Sequence, residues 1–126
     1  MAKLPEIAIK AWDAHEGPVV FTTVDKMGTP NTIYVSCVQR IGDDKIVVAN
    51  NILHKTLENI KAGTKASILY ITKEKKAFQV KGSLTYFTDG DIYDDMKNNW
   101  LDKKNPGHGA VVLTIEAVYS GAEKLA

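Results

Sequence analysis

Two tight turns in the first half of the chain constrain its fold more than any other feature. Met27-Gly28-Thr29-Pro30 separates the apolar, β-branched runs 19–25 and 31–41, and Gly42-Asp43-Asp44 separates the second run from 45–50. Glycine, proline and aspartate are typical turn residues. Strands joined by so few residues pair antiparallel, because a parallel pair needs a long crossover connection. The sequence therefore favours an antiparallel sheet over a doubly wound parallel one.

The rest of the chain alternates between helical and strand patterns. Residues 4–16 and 55–62 have apolar positions at three- and four-residue spacing, which predicts two helices. The later segments predict, in order, a strand at 65–72, a strand at 77–88 that bends at Gly82, a helix capped by Asp89 with an apolar stripe of Ile92, Tyr93, Met96 and Trp100, and a strand at 110–119. The chain thus has six predicted strands.

Six antiparallel strands can close on themselves and leave no long exposed edge. We therefore predict a mainly β protein with helices: a small six-stranded antiparallel β-barrel whose helices pack at its openings. A chain of 126 residues suits a single domain over residues 1–126. Hydrophobic residues make up 44% and charged residues 25%, as in ordinary globular proteins.

Charge and cysteine content argue against several classes of function. Sixteen basic and fifteen acidic residues give a net charge of +1, whereas proteins that bind nucleic acid or membrane surfaces usually have a basic excess. Cys37 is the only cysteine, so an intramolecular disulfide and a Cys-x-x-Cys zinc site are absent. The three histidines form no metal motif, and we expect no metal. No stretch has the features of a signal peptide or a membrane span, so we expect a cytoplasmic protein.

The segment 45–63 carries the most chemistry. The strand Lys45–Asn50 leads through a polar loop to His54-Lys55-Thr56, where a helix begins. The free N–H groups and positive dipole end of a first helical turn favour an anion, most often phosphate. Lys55 adds a positive charge and Thr56 a hydroxyl donor. The same residues also fit a solvated lysine and a threonine that caps the helix, so both interpretations stay open at this point.

Four short motifs follow one another in a defined order: Ile33-Tyr34-Val35-Ser36, then 45–51, then His54-Lys55-Thr56-x-x-Asn59-Ile60, and then Gln79-Val80-Lys81-Gly82. Their order and spacing resemble those of the pyridoxamine 5′-phosphate oxidase-like flavoproteins, which are split β-barrels that bind FMN. The resemblance extends over about residues 5–120. It is strongest to the short FMN-binding proteins of anaerobic bacteria, and it implies a six-stranded antiparallel split β-barrel of the FMN-binding type.

The resemblance implies three groups of FMN-binding residues, for the phosphate, for the flavin ring, and for the border of the ring and ribityl chain. In that order they are His54, Lys55 and Thr56; Thr32, Ile33 and Tyr34; and Val48, Ala49 and Asn50. His54 stands where the oxidases place an arginine. Gln79 matches a glutamine that the oxidases hold near the cofactor, although an outward-facing strand residue fits the pattern equally well. No catalytic residue is implied.

Two departures from the family pattern bear on activity. The oxidases begin their second strand with an arginine that binds phosphate, where this sequence offers Ile33 or a neighbour. Their C-terminal segment carries a tryptophan and an arginine that serve cofactor and substrate, and it has no counterpart before Ala126. We therefore do not expect oxidation of pyridoxamine phosphate.

The resemblance leads to a prediction of a homodimeric FMN-binding redox protein, either an electron carrier or a small flavin-dependent oxidoreductase. The cofactor would supply the redox chemistry. The alternative is a haem-related or cofactor-free ligand-binding module on the same barrel. A homodimer is expected because the resembling family builds its flavin sites between two chains, and because the apolar runs 35–38 and 111–115 exceed what one small core needs. Trp100 either packs in the core or approaches the flavin of a partner chain.

Overall fold

The structure is a computed structural model that describes residues 2–63 and 65–126. Within these residues, three α-helices and eight β-strands follow one another along the chain. They are α1 (Glu6–Asp13), β1 (Val19–Val24), β2 (Pro30–Val35), β3 (Val38–Ile41), β4 (Lys45–Asn50), α2 (Lys55–Lys61), β5 (Lys65–Ile71), β6 (Ala77–Phe87), α3 (Asp91–Asp95), β7 (Gly109–Ser120) and β8 (Glu123–Lys124). A π-helical turn, Met96–Trp100, continues α3. Among the described residues, no helix is long and apolar enough to cross a lipid bilayer.

All strands belong to one antiparallel sheet with the order β2-β1-β5-β6-β7-β4-β3, and β8 pairs with β7. The two edge strands, β2 and β3, are consecutive in the chain and are joined only by Ser36 and Cys37. A residue spans at most about 3.6 Å. A link of two residues therefore brings the two edges of the sheet together. The sheet must therefore curl back on itself, which confirms the predicted antiparallel split barrel.

The predicted single strand at 31–41 is in fact two strands with different partners. β2 pairs with β1, whereas β3 pairs with β4. The link between them turns within two residues, where the Val38 N–H donates to the Ser36 carbonyl at 3.1 Å and the Ala49 N–H donates to the Cys37 carbonyl at 2.9 Å. Val35 and Val38 both pack against the barrel core, whereas Cys37 packs against a separate apolar cluster, so the alternation of side chains shifts by one residue at the link. The sequence, with Ile33, Val35 and Cys37 at every second position, does not show this shift.

The interior of the barrel is an apolar core that α1 covers from one side. Trp12 of α1 packs its ring edge-on against Tyr70 of β5, with the ring centroids 5.1 Å apart. The Tyr70 hydroxyl donates to the carbonyl of Ala8 at 2.7 Å. Burial raises the pKa of Tyr70 above its ordinary value, so this hydroxyl stays protonated and keeps α1 bonded to the barrel at physiological pH.

A second apolar cluster lies on the outer side of β4 and β7, where α3 and the π-helical turn pack. The predicted stripe of Ile92, Tyr93, Met96 and Trp100 faces this cluster, and Met96 is fully buried in it. The packing of Trp100 agrees with the core interpretation of that residue. The predicted cap at Asp89 is wrong, because the helix begins after Gly90 and no side chain caps it. Gly90 has a φ of 92°, which glycine adopts readily.

The pairing of β6 with β7 is irregular at Gly82, where the sequence predicts a bulge or bend, and the extra residue is Glu116 of β7. The register with β7 shifts between Lys81 and Gly82, as in a β-bulge. A Cβ atom on Gly82 would lie 2.0 Å from the carbonyl oxygen of Thr114 on β7. Only glycine fits there without movement of the backbone, so this contact sets how closely β6 and β7 approach each other.

Candidate functional site

A continuous groove runs along β2 towards the start of α2. Its wide part has a volume of about 520 Å³ and its narrow part about 180 Å³. The two parts share Ile33, Ile52 and Leu53 in their linings, so they adjoin each other and are treated together as one groove. The wide part alone has the size of a typical small-molecule site.

The narrow end of the groove combines polar side chains with the apolar Ile33, Ile52 and Leu53. Its lining includes Asn31, His54, Lys55 and Thr56. His54 and Lys55 are exposed, whereas Thr56 is only 2% exposed. The Asn31 side-chain amide donates to the Thr56 hydroxyl oxygen at 2.9 Å, which leaves the hydroxyl hydrogen of Thr56 as a donor. An ammonium group beside a hydroxyl donor is a suitable pair for an anionic oxygen.

The geometry does not support the alternative in which Thr56 caps the helix. α2 begins at Lys55, so Thr56 lies inside the first turn. The capping position is His54, whose side chain makes no capping hydrogen bond. Thr56 instead lies under Asn31 of β2, at the narrow end of the groove.

A buried hydrogen bond fixes α2 against the sheet. The side-chain amide of Asn59 donates to the hydroxyl of Thr23 on β1 at 2.9 Å, and both residues are buried. Such a bond contributes about 1 kcal/mol, and removal of one partner leaves the other buried and unsatisfied. Asn59 and Asn31 therefore join α2 to β1 and β2, and they hold Lys55 and Thr56 in place.

The wide end of the groove is mainly apolar. One wall comes from the edge of the barrel, where Val35, Cys37 and Ala49 lie near one another, and Asn105 and Pro106 complete the lining. The second apolar cluster, which includes Ala49 and Cys37, supports the first wall from behind. A flat apolar group would find complementary surface here.

Asn50 has a structural role beside this wall. It is only 4% exposed. Its amide nitrogen donates to the Tyr86 hydroxyl at 2.7 Å, and its side-chain oxygen accepts from the Leu53 N–H at 3.0 Å. The side chain thus shapes the turn that leads from β4 to α2, and it does so from below the groove surface.

The structure brings six of the ten predicted binding residues to the groove. These are Ile33, Tyr34, Ala49, His54, Lys55 and Thr56. The other four have side chains elsewhere. Thr32 bonds to Thr22 at 3.1 Å and is absent from the groove lining. Val48 is 1% exposed in the barrel core, Asn50 is buried, and Gln79 lies on β6 outside the groove lining. Gln79 is half-buried between Leu69 and Tyr119.

Several groove residues were not predicted. They are Asn31, Val35, Ser36, Cys37, Asn51, Ile52, Leu53, Asn105 and Pro106. Asn31, Val35, Asn51 and Leu53 are direct sequence neighbours of predicted residues, whereas Ser36, Cys37 and Ile52 lie in the links between elements. Asn105 and Pro106 gave no local signal, because the pairing of Asn50 with Gly109 across β4 and β7 brings their loop to the groove.

Another depression, of about 340 Å³, lies on the outer face of the sheet. Its charged side chains already contact other groups: Lys65 bonds to both carboxylate oxygens of Glu116 at 2.7 and 2.8 Å, and Lys81 lies 4.8 Å from the centre of the Tyr119 ring. The groove along β2 is therefore the better candidate for a charged ligand. Among residues 2–63 and 65–126, no three His, Cys, Asp or Glu side chains lie close enough together to hold a metal ion.

Comparison with known sequences finds relatives over nearly the whole chain. A sequence profile of the family described as pyridoxamine 5′-phosphate oxidase matches residues 6–120. An uncharacterised protein of Methanocaldococcus jannaschii is 27% identical over 126 aligned residues, which cover 95% of this chain and 82% of that protein. The profile match spans far more than half of the chain and identifies the family.

Solved structures share the fold. A candidate pyridoxamine 5′-phosphate oxidase from Lactobacillus delbrueckii superposes with a TM-score of 0.80 at 21% identity, and the alignment covers 94% of each chain. An FMN-binding protein from Syntrophomonas wolfei superposes with a TM-score of 0.70 at 24% identity, covering 90% of this chain and 80% of that one. These likenesses confirm the split-barrel fold.

Proposed function

We propose that this chain, which belongs to the pyridoxamine 5′-phosphate oxidase family, binds FMN in the groove along β2 and acts as a redox flavoprotein. The observation that carries the proposal is the division of the groove into a wide apolar end and a narrow end with Lys55 and Thr56. FMN has the same division, with a flat ring at one end and a phosphate at the other. The FMN-binding relative from Syntrophomonas wolfei supports the same assignment.

The residues of the groove fit FMN from end to end. Lys55 would bind the phosphate through its charge, and Thr56 would donate its hydroxyl hydrogen, which its bond with Asn31 leaves available. Ile33 and Leu53, which line both ends, would contact the ribityl chain between them. The wide end would take the ring against apolar side chains.

The redox chemistry belongs to the cofactor, which supplies one- or two-electron transfer when it is bound. The chain would bind the flavin, orient it and keep water from one of its faces. Among the described residues that line the groove, Lys55 is the one lysine or arginine. A second phosphorylated ligand would therefore find no second such cation there, which favours an electron carrier or a small flavin-dependent oxidoreductase over oxidation of pyridoxamine phosphate.

The purified protein is expected to hold FMN. Its absorption spectrum should show flavin bands, and denaturation should release FMN in a ratio near one per chain. Protein purified without cofactor should bind added FMN with quenching of the flavin fluorescence. Absence of flavin together with failure to bind added FMN would overturn the proposal, and a haem spectrum would favour the alternative module on the same barrel.

We further propose that the protein is a homodimer. The structure offers a different candidate surface for the dimer interface from the one that the sequence suggested. The run 111–115 does not provide exposed surface as the sequence suggested, because its apolar side chains are buried within one chain. The support comes instead from Tyr34 and Ile52 at the rim of the wide end, which are 75% and 81% exposed. Large apolar side chains grouped on a surface are typical of interaction sites.

Light scattering of the FMN-bound protein at micromolar concentration should give the mass of two chains. The double substitution Tyr34→Ser and Ile52→Ser should shift the mass towards one chain, whereas the exposed and distant Ile7→Ser should not. A wild-type mass of one chain would contradict the dimer. A double variant that stays dimeric would place the interface on another surface.

A further inference from the structure

The loop that forms the outer wall of the wide end is attached to β4 by one asparagine side chain. The Gly107 N–H donates to the side-chain oxygen of Asn51 at 3.0 Å. Gly107 is buried and has a φ of 53°, a backbone conformation that residues other than glycine rarely adopt. Asn51 itself lines the wide end together with Asn105 and Pro106 of the same loop.

Other contacts position the same loop from different directions. The Asn105 amide contacts the Cys37 sulfur at 3.6 Å, which joins the loop to the link between β2 and β3. From behind, the Lys97 ammonium group donates to the Pro106 carbonyl at 2.6 Å. The N–H of His108 donates to the backbone carbonyl of Asn50 at 2.8 Å, a bond that no substitution of a side chain removes. The bond from Asn51 is therefore the strongest link between the groove walls that a side-chain substitution can remove.

We propose that Asn51 is a positioning residue that sets the width of the ring end of the groove by holding the 105–107 loop against the end of β4. This inference rests on the proposed function, because it concerns the same flavin site. Without the Asn51 oxygen, the buried Gly107 N–H loses its partner, and the loop must move to satisfy it. The wide end then changes shape. The narrow end at Lys55 keeps its shape, because this loop does not line it.

A series of three flavins separates the two ends of the groove. Lumiflavin has the ring alone, riboflavin adds the ribityl chain, and FMN adds the phosphate. A residue that acts on the ring end must change the affinity for all three by the same factor. A residue that acts on the phosphate must change the affinity for FMN alone.

The test uses Asn51→Ala with two companion variants. Asn51→Asp keeps an oxygen that accepts from the Gly107 N–H. Asn99→Ala is the matched control, because it removes only the bond from Asn99 on the π-helical turn to Asp95 of α3. Fluorescence titration should show all three flavins weakened on the order of tenfold by Asn51→Ala. Asn51→Asp should restore most of that loss for lumiflavin, and Asn99→Ala should match the wild type.

Hydrogen exchange in the flavin-free protein supplies a readout that does not depend on ligand. The backbone amides of Asn105, Gly107 and His108 should exchange faster in Asn51→Ala than in the wild type and return towards the wild-type rate in Asn51→Asp. If Asn51→Ala unfolds, Asn51→Gln replaces it: this variant keeps the amide, displaces the loop by one carbon, and should weaken all three flavins equally.

Unchanged exchange of the loop would overturn the inference, whatever the flavins do. A loss confined to FMN, or an aspartate variant no better than alanine, would overturn it as well. Failure of the wild type to bind any of the three flavins would instead refute the proposed function and the flavin role of Asn51 with it. The exchange data would then still decide whether Asn51 holds the loop.

Discussion

Replacement of Lys55 by alanine is expected to lower the affinity for FMN on the order of ten- to a hundredfold, since a charge-assisted hydrogen bond to phosphate contributes about 1.5–3 kcal/mol. The melting temperature of the flavin-free protein should barely change. Lys55 is exposed, and no ion pair or hydrogen bond of its side chain is found among the described residues. Flavin titration by fluorescence quenching, beside melting curves of both flavin-free proteins, measures the two effects.

Riboflavin and a second lysine supply the controls for Lys55. Riboflavin lacks the phosphate, so it should bind the wild type and Lys55→Ala equally. Lys61→Ala removes an exposed lysine from the other end of the same helix and should leave FMN binding unchanged. Equal affinity of the wild type and Lys55→Ala for FMN would remove Lys55 from the site, and a matching loss for riboflavin would assign it to the ring pocket.

Gly82→Ala should destabilise the protein by at least about 3 kcal/mol, at the upper end of the range for overpacked sites. The added methyl carbon would lie 2.0 Å from the Thr114 carbonyl oxygen and 2.9 Å from a methyl group of Leu113. The first of these contacts is with backbone, so it can be relieved only if β6 and β7 move apart. Chemical denaturation of the wild type and the variant measures the free energy of unfolding.

Thr85→Ala is the comparison for Gly82→Ala, because Thr85 lies exposed on the same strand. It should change the free energy of unfolding by about 0.5 kcal/mol or less. A Gly82→Ala protein as stable as the wild type would mean that the two strands lie further apart than the structure shows. Glycine would then not be sterically required at position 82.

Most of the fold could be predicted from local pattern, with two exceptions. Strands such as Lys45–Asn50 and Ala77–Phe87 have clear apolar runs bounded by turn residues, and Gly82 marked the bulge correctly. The break at Ser36 and Cys37 was missed because it is a change of pairing partner, from β1 to β4, within a single apolar run that does not show where one hairpin ends and the next begins. Asp89 failed as a cap because Gly90 next to it adopts the positive φ from which the helix starts.

The candidate site, like the fold, was predicted only in part. Lys55 and Thr56 were found because a strand, a loop and a helix start follow one another locally, and Ile33 and Ala49 because they flank that pattern. Val48 is adjacent to Ala49, yet its side chain points into the barrel, since neighbours on a strand face opposite sides. A list of residues taken over from a family motif does not make that distinction.

The order of strands in the sheet has a consequence for how this chain is made. β4 lies between β3 and β7, and β7 is also the partner of β6. On a ribosome the hairpin of β3 and β4 can form early, but the second neighbour of β4 emerges only after α3. Until then the apolar side chains of 46–49, which are fully buried in the finished protein, have no cover on that side. Such exposed strands are typical targets of chaperones and starting points of aggregation. Completion of the barrel therefore depends on one late strand, and a nascent chain that stalls before β7 presents its most apolar segment to the cell.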